Sequence, residues 1–293
     1  MSATQENRDS VLSWQRMDFE QRLGFRGGKY TDVNLWLAAT MAAILVVIFY
    51  TLMIFAFPES HLTTMFLKRP SKVVPFLIAF LSSWSAAILY VKAQKLRLQQ
   101  KALALKIVPS AHDFVLATAT APGVLAGMYQ CVDNPGHFVL LSRIERALSN
   151  LSNIGRVSDV NEMLQSQASN DEDQMESSYT IVRGFIWGIP VLGFIGTVLG
   201  LSLAMAGFGS LLSAGGSIEA LKTSLMGVTA GLATAFENTL EGLVAALTIQ
   251  LWLSALKKKE ERFLDDCKDY CHSHIISRLR LIHLDDSAAP SES

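Results

Sequence analysis

The hydrophobic positions of this chain fall into four long runs that are separated by polar stretches. None of the runs contains Lys or Arg, and each is close to or above the roughly 20 residues that a helix needs to cross a membrane. At a rise of about 1.5 Å per residue, such a helix covers the ~30 Å hydrocarbon layer. The pattern therefore predicts transmembrane helices over residues 34–57, 73–91, 184–209 and 225–256.

The polar stretches carry weaker helical patterns. Residues 92–107 continue the second run at helical spacing, and residues 139–154 mix apolar and basic positions in the same way. The acidic stretch 165–178 is typical of a solvated connection or a helix end. For residues 8–23, an amphipathic helix on the membrane surface and a flexible leader both fit the pattern. We therefore predict an all-α, multi-pass membrane protein in which helices two to four extend into a cytoplasmic helical bundle.

The distribution of basic residues predicts the orientation in the membrane. Lys and Arg accumulate before the first run, after the second and after the fourth, whereas the two opposite loops hold only Lys68, Arg69, Lys72 and Lys222. Because such an excess marks cytoplasmic segments, both termini and the long middle loop are predicted to be cytoplasmic. The predicted cytoplasmic parts are an N-terminal segment, a helical region, and a C-terminal helix with its tail, at residues 1–33, 92–183 and 257–293.

The composition supports a membrane protein and argues against nucleic acid as a partner. Half of the residues are apolar, 17% are charged and the mean hydropathy is +0.30. The formal net charge is −1, and the basic clusters flank the apolar runs. Since nucleic-acid binding needs a clustered basic surface, we predict no nucleic-acid partner.

Small residues form a stripe on each of the last two predicted spans. Their spacing places them on one helical face in each span. The stripes consist of Gly193, Thr197, Gly200 and Ala204 in the third span, and of Gly231, Ala235, Thr239, Gly242 and Ala246 in the fourth. Small residues let helices approach closely in lipid, so each face is predicted to pack against another helix or to line a pore.

Two glutamates lie within the fourth run. Glu237 and Glu241 share one helical face, roughly opposite Thr239, and no Lys or Arg occurs in any run to pair with them. An ionised carboxylate at that depth costs at least about 2.5–3.5 kcal/mol. Protonation, bonds to Thr234 or Asn238, water in a cavity or a bound cation are the alternatives that can offset this cost. An ion relay through these carboxylates is one hypothesis, and a position of Glu237 near the outer headgroups is the other.

No catalytic or metal chemistry is predicted. Cys267, Cys271, His272 and His274 are close in sequence, but the two histidines would point away from the face that the cysteines share. No nucleophile with a partnered base and no phosphate loop can be assembled from the motifs. We predict neither an enzyme nor a bound metal or cofactor.

Two motifs carry a resemblance to a known family. The string from Pro190 to Gly200, Pro-Val-Leu-Gly-Phe-Ile-Gly-Thr-Val-Leu-Gly, resembles the Pro-x-Leu-Gly-x-x-Gly-Thr-Val-x-Gly signature of the MotA/TolQ/ExbB family. The string from Thr234 to Leu243 is similar to the segment that follows in the next helix of that family. The two motifs lie in the right order and one hairpin apart.

The resemblance implies an ion-driven motor in the bacterial inner membrane. It implies a ring of copies of this chain, usually a pentamer, around the single spans of a MotB/TolR/ExbD-like partner that carries the ion-binding Asp. A cytoplasmic or envelope effector is a further candidate partner. Thr197 and Thr239 match the pore-facing hydroxyls of the family, and the ion is expected to be a proton, with sodium as the alternative. The residues expected to pack the helices are Pro190, Gly193, Gly196, Gly200, Gly231 and Gly242.

Other functions and the biological process stay open. The arrangement of two spans before a long cytoplasmic loop is similar to the flagellar-stator branch, whereas the Gly-Thr-Val motif is closer to the TolQ and ExbB branch. A secondary transporter is disfavoured because no internal repeat relates the first two spans to the last two. The alternative is a non-conducting membrane scaffold, which should tolerate Thr197→Val and Thr239→Val.

Overall fold

The structure is a computed structural model of the chain. It describes residues 12–25, 27–56, 63, 73–105, 107–108, 115–151, 156–213 and 218–280. Within these ranges the regular secondary structure is helical, which confirms the predicted all-α class. The helices are α1 (Trp14–Met17), α2 (Phe19–Arg22), α3 (Leu35–Ala56), α4 (Val73–Leu103), α5 (Ala121–Cys131), α6 (Val139–Ser149), α7 (Val157–Ser178), α8 (Thr180–Ser213) and α9 (Ile218–His274).

The described residues include four helical segments that are long and apolar enough to cross a membrane. Their apolar parts lie in α3, α4, α8 and α9, and each overlaps one of the predicted apolar runs. This confirms a multi-pass membrane protein with four apolar helices. The predicted end of the first span at residue 57, the basic residues Lys68, Arg69 and Lys72, and the tail beyond residue 280 lie outside the described residues.

The described residues form two compact units. The first unit contains polar segments and is drawn from Met1–Asn34, Val91–Ser178 and Lys257–Ser293. The second unit contains the apolar helices and is drawn from Leu35–Tyr90 and Tyr179–Leu256. The division follows the change from apolar to polar sequence within α4 and α9. The assignment of these parts to the membrane and the cytoplasm stays a prediction.

The described part of the N-terminal segment forms α1 and α2 and is packed into the first unit, so the flexible-leader alternative is wrong there, while a position at the membrane surface stays a prediction. The Trp14 side chain is fully buried and contacts the rings of His137 and Phe138, with centroids 5.4 and 5.2 Å away. The carboxylate of Asp133 accepts hydrogen bonds from the Trp14 backbone N–H at 2.9 Å and from the Ser13 hydroxyl at 2.7 Å. Burial of the large indole therefore anchors the segment in protein.

The predicted helical periodicity is confirmed in α6, whereas α7 includes a stretch that was not predicted to be a buried helix. The predicted amphipathic stretch forms α6, with Leu141 and Ile144 buried, but the helix ends at Ser149. The acidic stretch 165–178 is helical throughout, because Ala168 and Met175 continue the buried face of α7. The stretch is therefore a packed helix of the first unit, whereas its composition indicated a solvated connection or a helix end.

Two lysines that follow the second apolar run are buried. Lys92 Nζ lies 3.3 Å from Glu260 Oε1 and donates a hydrogen bond to Ser178 Oγ at 2.7 Å. Lys95 Nζ lies 2.6 Å from Glu20 Oε2, and both lysines are only 1% exposed. Burial lowers the pKa of Lys92, and the nearby Glu260 carboxylate opposes that shift. These residues thus form a buried ionic network rather than a solvated basic flank.

Candidate ion-conducting site

The small faces of α8 and α9 pack directly against each other in the second unit. A methyl group built on Gly193 would lie 2.8 Å from the Asn238 carbonyl oxygen, and one built on Gly242 would lie 3.0 Å from the Ile189 carbonyl oxygen. Ordinary contact begins at about 3.4 Å, so neither backbone leaves room for a side chain. The absence of side chains on these glycines lets the two helices approach at this level.

The packing of α8 against α9 is looser at Gly200 itself. A methyl group there would lie 3.4 Å from Ala235 Cβ, which is ordinary van der Waals contact. One built on Gly231 would lie 2.6 Å from Ala204 Cβ. The two predicted small-residue faces therefore meet each other within one chain, but the contact is not uniformly tight.

Thr197 and Thr239 meet at the centre of this helix pair. Their hydroxyl groups form a hydrogen bond across the α8–α9 contact. Thr197 Oγ1 also lies 2.9 Å from the carbonyl oxygen of Ala235 and 3.2 Å from that of Gly193, and Thr239 Oγ1 lies 3.5 Å from the latter. Both threonines are half-buried. The structure thus brings the two predicted pore hydroxyls into direct contact.

The hydroxyl pair has two hydrogen-bond arrangements, because each hydroxyl has one proton and two lone pairs. In the first, Thr239 donates to Thr197, which donates to the Ala235 carbonyl. In the second, Thr197 donates to Thr239, which donates to the Gly193 carbonyl at the long distance of 3.5 Å. In both, each oxygen keeps a lone pair that can accept a further hydrogen bond or contact a cation. The pair can therefore reverse its polarity without leaving a proton unsatisfied.

Asn238 lies beside the threonine pair. Its side chain is buried, and its Nδ2 would be 2.7 Å from a methyl group built on Gly196. The same methyl group would lie 2.9 Å from Val74 Cγ1 in α4. Gly196 therefore makes space for the amide between α8, α9 and α4. Thr234 is half-buried one turn earlier in α9.

The glutamates of α9 do not join the threonine pair in this contact. Both carboxylate oxygens of Glu241 are buried, and the carboxylate lies within electrostatic range of the Tyr50 hydroxyl in α3. Glu237 is half-buried. Glu241 thus approaches α3, while Thr239 on the other side of α9 contacts α8. Tyr50 was not predicted as a site residue. The only signal in the sequence is a phenol within an otherwise apolar run.

Pro190 lies inside α8, which continues through it from Thr180 to Ser213. Proline has no backbone N–H, so the carbonyl of Ile186 lacks its helical donor at this point. The Pro190 Cα would lie 3.5 Å from a methyl group on Gly242, which places this residue at the α8–α9 contact. Pro190 therefore lies where the sequence predicts a residue that packs the two helices.

Comparison with known proteins shows that part of the chain is similar to a known family. Residues 138–269 match the MotA/TolQ/ExbB proton channel family. This match confirms the resemblance that the two motifs indicated. It extends from the start of α6 to near the end of α9 and includes both threonines of the pair. No curated protein and no solved structure matches the chain.

The MotA/TolQ/ExbB match indicates a channel-type membrane protein. It covers a little under half of the chain, and the first two apolar helices lie outside it. The Thr197–Thr239 pair, the tight glycines and Asn238 all fall inside the matched segment. The hydroxyl pair is therefore the best candidate for contact with a passing proton, the ion that the family description names.

Proposed function

We propose that this chain is the ring-forming subunit of a proton-driven motor in the bacterial inner membrane. In this proposal residues 34–57, 73–91, 184–209 and 225–256 span the membrane, and both termini are cytoplasmic. Five copies surround the spans of a MotB/TolR/ExbD-like partner, and ion passage drives work on a cytoplasmic or envelope effector. The observation that carries the proposal is the Thr197–Thr239 hydroxyl pair within the segment that matches the proton channel family.

The chemistry of the pair suits transfer to and from a partner. No Asp occurs in the four apolar runs, so this chain supplies no aspartate of its own to carry the ion there. A protonated Asp on the partner can donate to the free lone pair of a threonine, and a hydrated cation can contact the same oxygen. Because the hydroxyls bear no charge, they contact the ion without binding it too tightly to release it.

The apolar helices of a single chain leave large side chains uncovered. Large apolar side chains are exposed on the apolar helices, among them Phe55, Trp187, Phe194, Phe236, Leu240 and Leu247. Lipid or neighbouring copies must cover them, since contiguous apolar surface of this kind is not left in water. The pentameric number comes from the family resemblance.

The test is ion flux in vesicles that contain this chain with its partner. Thr197→Val and Thr239→Val remove the hydroxyls with almost no change in shape, whereas Thr197→Ser keeps the hydroxyl. Thr248→Val is the matched control, because Thr248 is exposed in the same span and donates only to the Val244 carbonyl of its own helix, at 2.8 Å. Proton and sodium gradients are applied separately, at equal amounts of assembled complex.

We expect partner-dependent flux that falls in both Val variants and survives in Thr197→Ser and in Thr248→Val. A response to the proton gradient alone supports the proton, and a response to sodium alone supports the alternative ion. Equal flux in all variants, or no flux under either gradient, contradicts the proposal and favours the non-conducting scaffold.

A relay through Glu241 is a second candidate for the ion path, favoured by its buried carboxylate near Tyr50. Glu241→Gln keeps the size of the side chain and removes its ability to ionise. If Glu241 relays the ion, flux falls in Glu241→Gln while assembly is unchanged. Unchanged flux in this variant removes Glu241 from the ion path.

A further inference from the structure

The first unit contains a cavity of about 120 Å³ between α6, α7 and the end of α9. It is lined by three basic side chains, Arg143, Lys268 and His272, and by the amides of Asn161 and Gln165. Asp269 is the acidic residue that completes the polar part of the lining. The rest of the lining is apolar and makes up the larger part of its surface, and the hydrogen-bond donors come from three different helices.

Arg143 is the buried element of this lining. The residue is only 3% exposed, and its Nε donates to Asp171 Oδ2 at 2.8 Å. Its Nη2 is buried and has no hydrogen-bond partner among the residues that the structure describes. A guanidinium normally satisfies its donors when it is removed from water, so this one retains unused donor capacity beside a cavity.

The remaining donors complement Arg143 from the mouth of the cavity. Lys268, His272 and Gln165 are exposed, and Asn161 is half-buried, so their polar groups are free to move towards a bound group. The carboxylate of Asp171 is already engaged by Arg143 Nε. The charge of Arg143 is thus compensated by Asp171, and within the lining Asp269 offsets the charge of Lys268. The unused hydrogen-bond donors, above all the buried Arg143 Nη2, are therefore what favours an anion.

The size of the cavity limits the class of anion. The cavity volume of about 120 Å³ is below the roughly 300–1,000 Å³ of sites for drug-sized ligands, which favours a small ligand. Donors from three helices surround the space, which suits a tetrahedral oxyanion better than a planar carboxylate with two oxygens. The guanidinium fork matches phosphate oxygens in particular.

We infer that this cavity binds a small phosphate-type oxyanion, with Arg143 at its base and Lys268 and His272 at its mouth. The same chemistry is presented by free inorganic phosphate, by a small phosphate monoester and by the headgroup of an acidic phospholipid. The site lies entirely in the first unit. It is independent of the threonine pair and of the proposed motor, so its test measures binding and not ion flux.

The experiment is equilibrium dialysis of the full chain against radiolabelled inorganic phosphate in phospholipid-free detergent. Chloride at matched ionic strength controls for general charge attraction, and sulfate tests for the tetrahedral shape. Lys268→Glu reverses a charge at the mouth of the cavity. Lys258→Glu makes the same change at an exposed position of α9 outside the lining, and is the matched control. Arg143→Lys keeps the charge at the base and removes the fork.

We expect one saturable phosphate site per chain that sulfate displaces and chloride does not. Lys268→Glu should weaken binding about tenfold, and Lys258→Glu by less than about twofold. Arg143→Lys should also weaken phosphate binding. If this substitution of a buried residue prevents folding, Lys268→Glu alone tests the inference. Absence of saturable binding, or equal effects of the two exposed substitutions, overturns the inference.

A second arm identifies the source of the oxyanion. The same dialysis is repeated with the protein in nanodiscs of phosphatidylcholine, with and without phosphatidic acid. Retention of phosphate binding in both supports a free ligand, and displacement only by phosphatidic acid supports a lipid headgroup. Loss of binding in both kinds of nanodisc contradicts a site of this chain in its membrane environment.

Discussion

The contact between Gly193 and α9 gives the sharpest test of the helix packing. In Gly193→Ala the new methyl group would lie 2.8 Å from the Asn238 carbonyl oxygen and 3.3 Å from Thr239 Cα. Both atoms belong to the backbone, so no side-chain rotation relieves the overlap. Ordinary contact at about 3.4 Å requires the two helices to separate by roughly 0.6 Å at this level. The same separation lengthens the hydrogen bonds of the threonine pair.

The magnitude follows from two opposing terms. Overpacking a tight contact costs typically about 1–3 kcal/mol, and replacing Gly by Ala within a helix gains about 1 kcal/mol. Gly200→Ala gains the same helix propensity, but its methyl group would meet Ala235 Cβ at an acceptable 3.4 Å. The difference between the two variants therefore isolates the overpacking term. We expect Gly193→Ala to be about 1–3 kcal/mol less stable than Gly200→Ala, about 5- to 150-fold in the unfolding equilibrium constant.

Reversible unfolding of the detergent-solubilised chain by SDS, followed by far-UV circular dichroism, measures this difference. Both variants and the unmodified chain are compared at the same micelle composition. Equal stability of Gly193→Ala and Gly200→Ala would refute the reasoning, because it would mean that α8 and α9 are not in close backbone contact at Gly193. Lower stability of Gly200→Ala alone would place the tight contact elsewhere on the helix pair.

Two further predictions concern the first unit. Glu260→Gln removes the carboxylate that lies 3.3 Å from the buried Lys92 Nζ, so we expect it to destabilise the chain by about 3 kcal/mol. The exposed Glu261→Gln should change stability by at most about 0.5 kcal/mol in the same unfolding assay. For cysteine labelling at pH 8, we expect fast reaction of the exposed Cys131 and slow reaction of the buried Cys271. Burial raises the pKa of the Cys271 thiol to about 11, which leaves about a hundredfold less thiolate than a thiol of ordinary pKa has at this pH. Rapid labelling of Cys271 before unfolding, or equal effects of the two Gln substitutions, would contradict these packing assignments.

The helix pair of the second unit could be predicted from the sequence to a large extent. A stripe of small residues at spacings of three and four lets helices approach closely in lipid, and the two stripes meet in this way. The contact of Thr197 with Thr239 follows from their places within these stripes. What the spacing left open was whether the faces pack on each other or line a pore. Contact within a single chain establishes the packing, and the pore remains a proposal.

The buried network of the first unit could not be predicted from charge alone. Lys92 and Lys95 were counted among the basic residues that flank a membrane span, and each is instead enclosed with a glutamate from a distant part of the chain. A signal was present: together with Ile88 and Gln99, they continue one buried helical face of α4. Polar residues at buried spacing indicate a polar core, but their partners come from tertiary contacts that local periodicity does not encode.

The threonine pair combines a structural and a proposed conducting role in the same atoms. Its hydroxyls join α8 to α9 through each other and through the Ala235 carbonyl, so the helix contact depends on the bonds that a passing ion would disturb. Interhelical hydrogen bonds in membranes contribute only about 0.6 kcal/mol on average, which is small enough for an ion or a protonated partner to replace one of them. A pair that was held more tightly would stabilise the helices but would resist this exchange. In the proposed function, weak and reversible bonds between closely packed backbones would let the site stay assembled while its hydroxyls change partners.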